Sequence, residues 1–164
     1  MIRARVITCS DAASRGERED RSGPAVRGLL EKNGYEVDAV VVVADTIEFI
    51  ATAIVDATND GVRLVVTTGG TGIAERDVTP EATLRVCEKV IPGLGELMRA
   101  ASVQKTPTAA LSRAQAATRG AALILNLPGS VNGATENLDA VLHLIPHALE
   151  LLEGKTKHET RHEG

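Results

Sequence analysis

The sequence has almost no aromatic side chains. It contains one Phe (Phe49), one Tyr (Tyr35) and no Trp among 164 residues. Proteins that hold single-stranded nucleic acid commonly stack its bases on aromatic rings, so this mode of binding is disfavoured. The formal net charge is −4 and no basic stripe stands out. Duplex DNA or RNA is therefore not expected as a partner, because phosphate backbones are bound by clustered Lys and Arg.

Cysteines and long apolar runs are also scarce. The two cysteines, Cys9 and Cys87, are too far apart in sequence to indicate a disulfide scaffold. Each is interpreted as a small buried hydrophobic residue. No apolar run approaches the roughly 18 residues of a membrane-spanning helix, and the first residues enter a strand pattern without signal-peptide character. We therefore expect a cytoplasmic protein with no membrane partner.

Apolar, β-rich runs alternate with helical patterns along the chain. Strands are predicted over residues 2–8, 37–43, 63–68 and 121–127. Nearly continuous apolar runs are typical of parallel strands buried on both faces. A third helix is predicted to open at Thr79, include Val90 and stop at Pro92, and a last helix over 134–153 should kink or break at Pro146. This order predicts a three-layer α/β/α sandwich around a mostly parallel sheet, with one domain over residues 1–154 and a charged tail over 155–164.

The strongest functional signal follows the third predicted strand, where the sequence reads TTGGTG from Thr67 to Gly72. Its three glycines let the main chain turn sharply and approach a ligand closely, and its threonines add hydroxyl groups. Such a loop can present several N–H groups to a phosphate, although a tight turn after a strand is the simpler alternative. It is not a P-loop, since no Gly-Lys-Ser/Thr follows, nor a dinucleotide fingerprint, since the spacing is GGxG.

Two aspartates are candidates for catalysis or Mg²⁺ binding beside this loop. Asp77 shortly precedes the predicted helix start at Thr79-Pro80, in which Thr79 is the expected N-cap. A carboxylate near a phosphate site makes physical sense when a Mg²⁺ ion lies between them. Asp45 follows the second predicted strand, and two interpretations stay open: catalysis, or a capping box formed with Glu48.

Two more polar loops follow the first and fourth predicted strands. Ser10 and Asp11 lie in the first of these loops, and residues 128–130 lie in the second. Ligands of open α/β sheets bind at the carboxyl ends of strands, so four polar loops on one edge favour a shared pocket. Arg113 follows a different polar loop, and it is either a phosphate clamp or a helix cap.

The combination of TTGGTG, RDVTPE and LPGS before a helix resembles the Mog/MoaB family of molybdenum-cofactor biosynthesis proteins. It also resembles the equivalent domain of gephyrin-type proteins. The opening segment SDAASRGEREDRSGP and the LSR of residues 111–113 fit as well, and the order agrees over about residues 3–153. The resemblance implies a molybdopterin-binding α/β sandwich, typically a homotrimer. It implies a Mg²⁺-dependent reaction of molybdopterin with ATP that gives adenylylated molybdopterin and pyrophosphate, with other enzymes of the pathway as candidate partners.

The resemblance also implies roles for individual residues. Asp45 and Asp77 fall where the family has its catalytic aspartates, and they are the expected Mg²⁺ ligands. After LPGS the chain has Val131-Asn132 where the family often has Pro and a polar or basic residue, a departure on the adenine and ribose side of the pocket. The residues expected to bind molybdopterin or ATP are Ser10, Asp11, Asp20, Thr68, Gly69, Gly70, Thr71, Gly72, Ser112, Arg113, Pro128, Gly129 and Ser130.

A mechanism follows from the charges of the two substrates. The terminal phosphate of molybdopterin attacks the α-phosphorus of ATP, while the glycine loop and Mg²⁺ on Asp77, with Asp45, offset the negative charge. A non-catalytic molybdopterin-binding or scaffold protein is the main alternative, and a nucleotide-processing enzyme such as a pyrophosphatase is a third. The two aspartates favour the adenylyltransferase, because binding an anionic pterin gains nothing from two nearby carboxylates.

Overall fold

Pairing of the apolar runs builds the centre of the protein. The computed structural model describes residues 1–155, in which six strands form one sheet in the order β2-β1-β3-β6-β5-β4. The strands are β1 (Arg3–Cys9), β2 (Glu36–Val43), β3 (Leu64–Thr68), β4 (Lys89–Val90), β5 (Gln115–Arg119) and β6 (Ala122–Leu127). β2, β1, β3 and β6 run parallel to one another. β5 is antiparallel to β6, and β4 is antiparallel to β5.

Helices cover both faces of this sheet. They are α1 (Asp11–Ser14), α2 (Ser22–Lys32), α3 (Ile47–Asn59), α4 (Thr79–Val86), α5 (Pro92–Val103), α6 (Val131–Val141) and α7 (Ile145–Leu152), with 3₁₀ turns at Pro107–Leu111 and Leu142–Leu144. Apolar residues of α2, α5, α6 and α7 share a core with one face of the sheet. Those of α3 and α4 share a core with the other face. The predicted three-layer sandwich is confirmed.

The core is built from aliphatic side chains. Every residue of β3 and β6 is buried, as expected for central strands with helices on both sides. Along β6, Leu123 and Leu125 pack into one core and Ile124 packs into the other. No helix within residues 1–155 is both long and apolar enough to cross a bilayer.

Several expectations about individual elements were wrong. β2 is an edge strand with mostly half-buried or exposed residues, so its valine run does not mark burial on both faces. Val90 is not helical, because α4 ends at Val86 and Val90 pairs with Ala117 in β4. Cys87 is only half-buried beyond the end of α4, whereas Cys9 is buried as predicted.

The break at Pro146 is confirmed. The last helical region divides into α6, a 3₁₀ turn and α7, and Pro146 occupies the first turn of α7. It begins at Val131 rather than at residue 134, because the hydroxyl of Ser130 accepts a hydrogen bond from the N–H of Gly133 and caps the helix. From residue 156 onward, the predicted tail lies outside the described residues.

The topology determines where a ligand site belongs. From β1 the chain passes to β2 on one side, and β3 then pairs with β1 on the other side. Loops leaving the carboxyl ends of β1 and β3 therefore diverge and open a crevice, which is the usual ligand position in open α/β sheets.

Candidate active site

Four loops meet at the carboxyl edge of the parallel strands. The loops after β1 and β2 are joined by two hydrogen bonds, from Asp11 N to Asp45 Oδ2 and from Asp45 N to Asp11 Oδ1, both 3.0 Å. The loops after β3 and β6 are in direct contact, since a Cβ built on Gly129 lies 3.2 Å from the Cα of Gly69. The convergence expected from the strand order is present.

The loop of residues 69–72, called here the glycine loop, cannot accept larger side chains. Gly69 and Gly70 have φ of +93° and +70°, in the left-handed region that favours glycine. A Cβ on Gly69 would lie 2.4 Å from the carbonyl oxygen of Cys9. One on Gly70 would lie 2.2 Å from Thr79 Oγ1. The close packing, and not only the turn, requires glycine here.

The carbonyl oxygens of the glycine loop all accept hydrogen bonds from the protein. Thr79 donates its hydroxyl to Gly69 O at 2.8 Å and its N–H to Gly70 O at 3.1 Å. Arg113 donates its N–H to Thr71 O at 2.7 Å and its Nε to Gly72 O at 2.8 Å. In contrast, the N–H groups of residues 70–72 donate to no acceptor within residues 1–155. The main-chain groups of residues 70–72 that lack a partner in the described part of the chain are therefore N–H groups, which suit an anion.

Two residues that support this loop have roles other than those predicted from the sequence. The N-cap of α4 is Val78, and Thr79 is the first helical residue, so the predicted N-cap role of Thr79 was wrong. Its hydroxyl is buried against the glycine loop instead. Arg113 is neither a helix cap nor a free phosphate clamp, because its guanidinium also donates to Asp77 O at 2.7 Å and pairs with Glu81. It fixes the shape of the loop.

Asp45 is held in place from one side and left open on the other. Its Oδ2 accepts the N–H of Asp11, whereas its Oδ1 is buried with no hydrogen-bond partner within residues 1–155. Burial raises the pKa of Asp45, and the nearby carboxylates of Asp11 and Asp77 add to this rise. The capping box with Glu48 is not formed, since Thr46 is the N-cap of α3 and no side-chain cap bond is present.

Asp77 lies directly behind the glycine loop. Its Oδ2 accepts the N–H of Ala74 at 3.1 Å. The same oxygen is 2.6 Å from a Cβ built on Gly72, so only glycine leaves room for the carboxylate. Asp77 and Gly70–Gly72 line one cavity of about 420 Å³. Asp45 Oδ1 also lies beside this loop, 3.3 Å from a Cβ built on Gly70.

Most of the other expected site residues are engaged in local hydrogen bonds. The hydroxyl of Ser10 caps α1 by accepting the N–H of Ala13 at 3.1 Å. Asp20 accepts the hydroxyl of Thr8 at 2.8 Å and the N–H of Gly23 at 3.0 Å. The structure thus explains how these side chains are oriented. Thr68 shares a 2.8 Å hydrogen bond with Ser22, and Ser112 Oγ accepts the N–H of Ala114 at 3.2 Å.

Two larger cavities adjoin at the loop after β6. One has about 700 Å³ and lies beside Asp45 and Gly69, with Ser10, Asp20 and Thr68 also in its wall. The other has about 660 Å³ and is lined by residues that include Arg99, Lys105, Thr108, Ser112 and Asn137. Ser130 and Val131 line both cavities. Two ligands bound in them would therefore meet near Ser130.

Sequence reasoning missed Arg76 and Asn126. Arg76 donates to both carboxylate oxygens of Asp11 at 2.9 Å, and this pairing holds the pKa of Asp11 below its usual range. Asn126 is buried and donates to Thr67 and Thr83 at 3.0 Å, which ties β6 to β3 and α4 below the glycine loop. The signal for Arg76 was its position next to Asp77. Nothing in the sequence marked Asn126 except its place in an otherwise apolar strand.

The carboxylates of Asp45 and Asp77 both lie beside the glycine loop, where the sequence analysis expected a Mg²⁺ ion. Within residues 1–155 no group of three or more His, Cys, Asp or Glu side chains is arranged to hold a metal ion unaided. Mg²⁺ usually binds through one or two carboxylates together with substrate phosphates. The unpartnered Oδ1 of Asp45 suits such a ligand, because a buried carboxylate oxygen needs a donor or a cation.

Comparison with known proteins agrees with this architecture. A family described as "Probable molybdopterin binding domain" matches residues 5–147. A protein from Helicobacter pylori J99 named molybdopterin adenylyltransferase is 44% identical over 91% of this chain and 86% of its own length. The protein of the same name from Escherichia coli K12 is 37% identical over 93% of this chain and 86% of its own length.

Solved structures extend the likeness to three dimensions. The crystal structure of the molybdopterin biosynthesis enzyme MoaB from Thermus thermophilus has a TM-score of 0.87 and 48% identity, covering 94% of this chain and 98% of that one. The fold and the four-loop crevice place the chain among molybdopterin-binding α/β proteins. Together with the sequence identities, they show that it belongs to the Mog/MoaB family of molybdenum-cofactor biosynthesis proteins.

Proposed function

We propose that this protein is a Mg-ATP-dependent molybdopterin adenylyltransferase. The observation that supports this most is that N–H groups of the glycine loop without an acceptor lie near the unpartnered buried oxygen of Asp45, within the described residues. The loop suits an anionic phosphate, and the carboxylate suits a cation. A site that binds only an anionic pterin has no use for the second element.

In the proposed reaction, a phosphate oxygen of molybdopterin attacks the α-phosphorus of ATP. A new P–O bond forms, the bond from the α-phosphorus to the α,β-bridging oxygen breaks, and pyrophosphate leaves with the electron pair. A phosphate nucleophile is already ionised and needs no general base. Most of the rate enhancement therefore comes from positioning and electrostatic stabilisation.

Each part of the site has a task in this reaction. The N–H groups of residues 70–72 donate to a phosphate oxygen. Arg113 and Thr79 hold those N–H groups in place through the loop carbonyls. Asp45 and Asp77 would hold Mg²⁺, which supplies positive charge to the triphosphate when bound. Asp45 is oriented by the N–H of Asp11, and Asp77 by the N–H of Ala74.

The two adjoining cavities support separate positions for the two substrates. We assign the nucleotide to the 700 Å³ cavity beside Asp45 and molybdopterin to the 660 Å³ cavity that contains Arg99 and Lys105. The 420 Å³ cavity of the glycine loop and Asp77 shares Gly129 with the first cavity and Pro128 with the second, so the reacting phosphates would meet there. The expected contacts of Asp20, Ser112 and residues 128–130 fit this arrangement.

Product formation tests the proposal directly. Purified protein is mixed with molybdopterin and Mg-ATP, and adenylylated molybdopterin and pyrophosphate are both measured. We expect both products in equal amounts and no pyrophosphate without molybdopterin. Pyrophosphate released without molybdopterin would instead indicate a nucleotide-processing enzyme.

A molybdopterin-binding or scaffold protein is the second candidate, because the family that matches residues 5–147 is described by binding alone, as a probable molybdopterin binding domain. Calorimetric titration with Mg-ATP separates the two functions, since a scaffold has no detectable affinity for the nucleotide. A homotrimer, a cytoplasmic location and association with other enzymes of the pathway complete the proposal. Light scattering of the purified protein tests the trimer.

A further inference from the structure

An ion pair connects the segments that follow β1 and β3. Arg76 donates through Nε to Asp11 Oδ2 and through Nη2 to Asp11 Oδ1, both at 2.9 Å. Asp11 is the first residue of α1, just after β1, whereas Arg76 belongs to the segment between the glycine loop and α4. The pair therefore joins two of the segments at the carboxyl edge of the parallel strands.

Each partner of this ion pair is attached to one of the two proposed metal ligands. Asp11 exchanges two 3.0 Å hydrogen bonds with Asp45, one in each direction. Arg76 is the chain neighbour of Asp77, whose own carboxylate is held by the turn at Ala74. Hydrogen bonds, an ion pair and one peptide link thus connect Asp45 to Asp77 by way of Asp11 and Arg76.

Asp11 is poorly placed to contact a nucleotide itself. Its carboxylate already accepts hydrogen bonds from Arg76 and from the N–H of Asp45. Its neighbours Ser10 and Ala13 line the 700 Å³ cavity, but Asp11 is absent from that wall. Its contacts point to a supporting role.

We propose that Arg76 and Asp11 are positioning residues that fix the relative placement of Asp45 and Asp77, so that one divalent cation on a nucleotide engages both carboxylates. This inference rests on the proposed function for its metal and nucleotide. It replaces the sequence-based expectation that Asp11 binds the substrate directly, and it gives Arg76 a role that no motif assigned.

The ion pair is separable from overall stability. The Arg76 side chain is 65% exposed, and exposed ion pairs contribute little to the free energy of unfolding. Residues that orient metal ligands, in contrast, typically affect metal affinity or activity about 10–100-fold when they are changed. Loss of the pair should therefore change metal binding while leaving the melting temperature nearly constant.

The test titrates Mn²⁺ into protein saturated with α,β-methylene-ATP, with free Mn²⁺ followed by electron paramagnetic resonance. For Arg76→Gln we expect Mn²⁺ affinity to fall about 10-fold or more, with a smaller loss for Arg76→Lys. The matched control is Arg27→Gln, which removes an exposed ion pair with Glu31 on α2 and should bind Mn²⁺ as the wild type does. Asp11→Ala should bind Mn²⁺ more weakly than Arg76→Gln does, because it also removes the carboxylate oxygen that accepts the N–H of Asp45. The variant with both Asp11→Ala and Arg76→Gln should have the same Mn²⁺ affinity as Asp11→Ala alone, since both changes break the same ion pair.

Wild-type Mn²⁺ affinity in Arg76→Gln would overturn the inference. So would a loss of nucleotide affinity in the absence of metal, since that result would make Arg76 a direct phosphate ligand. Failure of the proposed function is distinguishable. If the wild-type protein binds Mn²⁺ and the nucleotide but forms no adenylylated molybdopterin, only the proposed function fails, and the titration still decides the role of the ion pair. A wild-type protein without affinity for the nucleotide would overturn both the proposed function and this inference.

Discussion

Gly70→Ala tests the close packing on which the glycine loop depends. The residue has φ of +70°, and a methyl group there would lie 2.2 Å from Thr79 Oγ1 and 3.2 Å from Thr79 Cβ. The left-handed conformation costs an alanine about 1–2 kcal/mol. Displacing the Thr79 hydroxyl, which is buried and donates to Gly69 O, costs about 1–3 kcal/mol more.

The control for this prediction is Gly34→Ala. Gly34 has φ of +87°, but no heavy atom lies within 4 Å of the position that its new methyl group would take, so only the conformational cost of about 1–2 kcal/mol applies. Urea denaturation should show the larger loss of stability in Gly70→Ala, and adenylyl transfer should be lost in that variant alone. Adding Thr79→Ala should make the combined loss smaller than the sum of the two. Equal losses of stability in the two glycine variants would refute this account of the loop.

Three further predictions concern other parts of the framework. Asn126→Ala should lower the free energy of unfolding by about 2 kcal/mol, measured in urea, because buried polar groups lose their partner. Arg113→Lys should reduce turnover about 100-fold, because an ammonium group cannot hold the carbonyls of both Gly72 and Asp77 and a small displacement is costly. Hydrogen bonds from Arg5 hold the pKa of Asp38 below its usual range in the folded protein. The ionised carboxylate therefore stabilises the fold at a pH above the pKa of Asp38 in the unfolded chain. This stabilisation is lost as the pH falls through the lower pKa of Asp38 in the folded protein. Asp38→Asn should thus cost about 1 kcal/mol or less at neutral pH, because the ion pair is exposed, and its difference from the wild type should shrink below about pH 4 in acid denaturation curves.

The predictable part of the fold is the part with strong periodicity. Central strands such as β3 and β6 are buried on both faces, and their apolar runs showed it. Pro146 broke the last helix because its ring cannot continue the preceding hydrogen-bond pattern. β4 and β5 were missed because a two-residue strand and the mostly small, polar run QAATR have no clear pattern of their own. Their pairing depends on neighbours that are distant in sequence.

The candidate site divides in the same way. The glycine loop, Asp45 and Asp77 could be located from residue types at strand ends, where parallel topology brings loops together. The roles of the residues that support the site could not be predicted from the sequence. Thr79 has the sequence features of an N-cap, yet its hydroxyl serves the glycine loop. Arg113 donates to the carbonyl oxygen of Gly72, which is 41 residues away in sequence, so only the tertiary structure brings the two together.

The adenylyl-transfer activity of Asp77→Asn is the most direct test of the central claim. Glu75→Gln, an exposed change two residues earlier, serves as its control. We predict that Asp77→Asn still binds molybdopterin but forms adenylylated product about 100-fold more slowly or not at all, while Glu75→Gln matches the wild type. Normal product formation by Asp77→Asn would contradict the account.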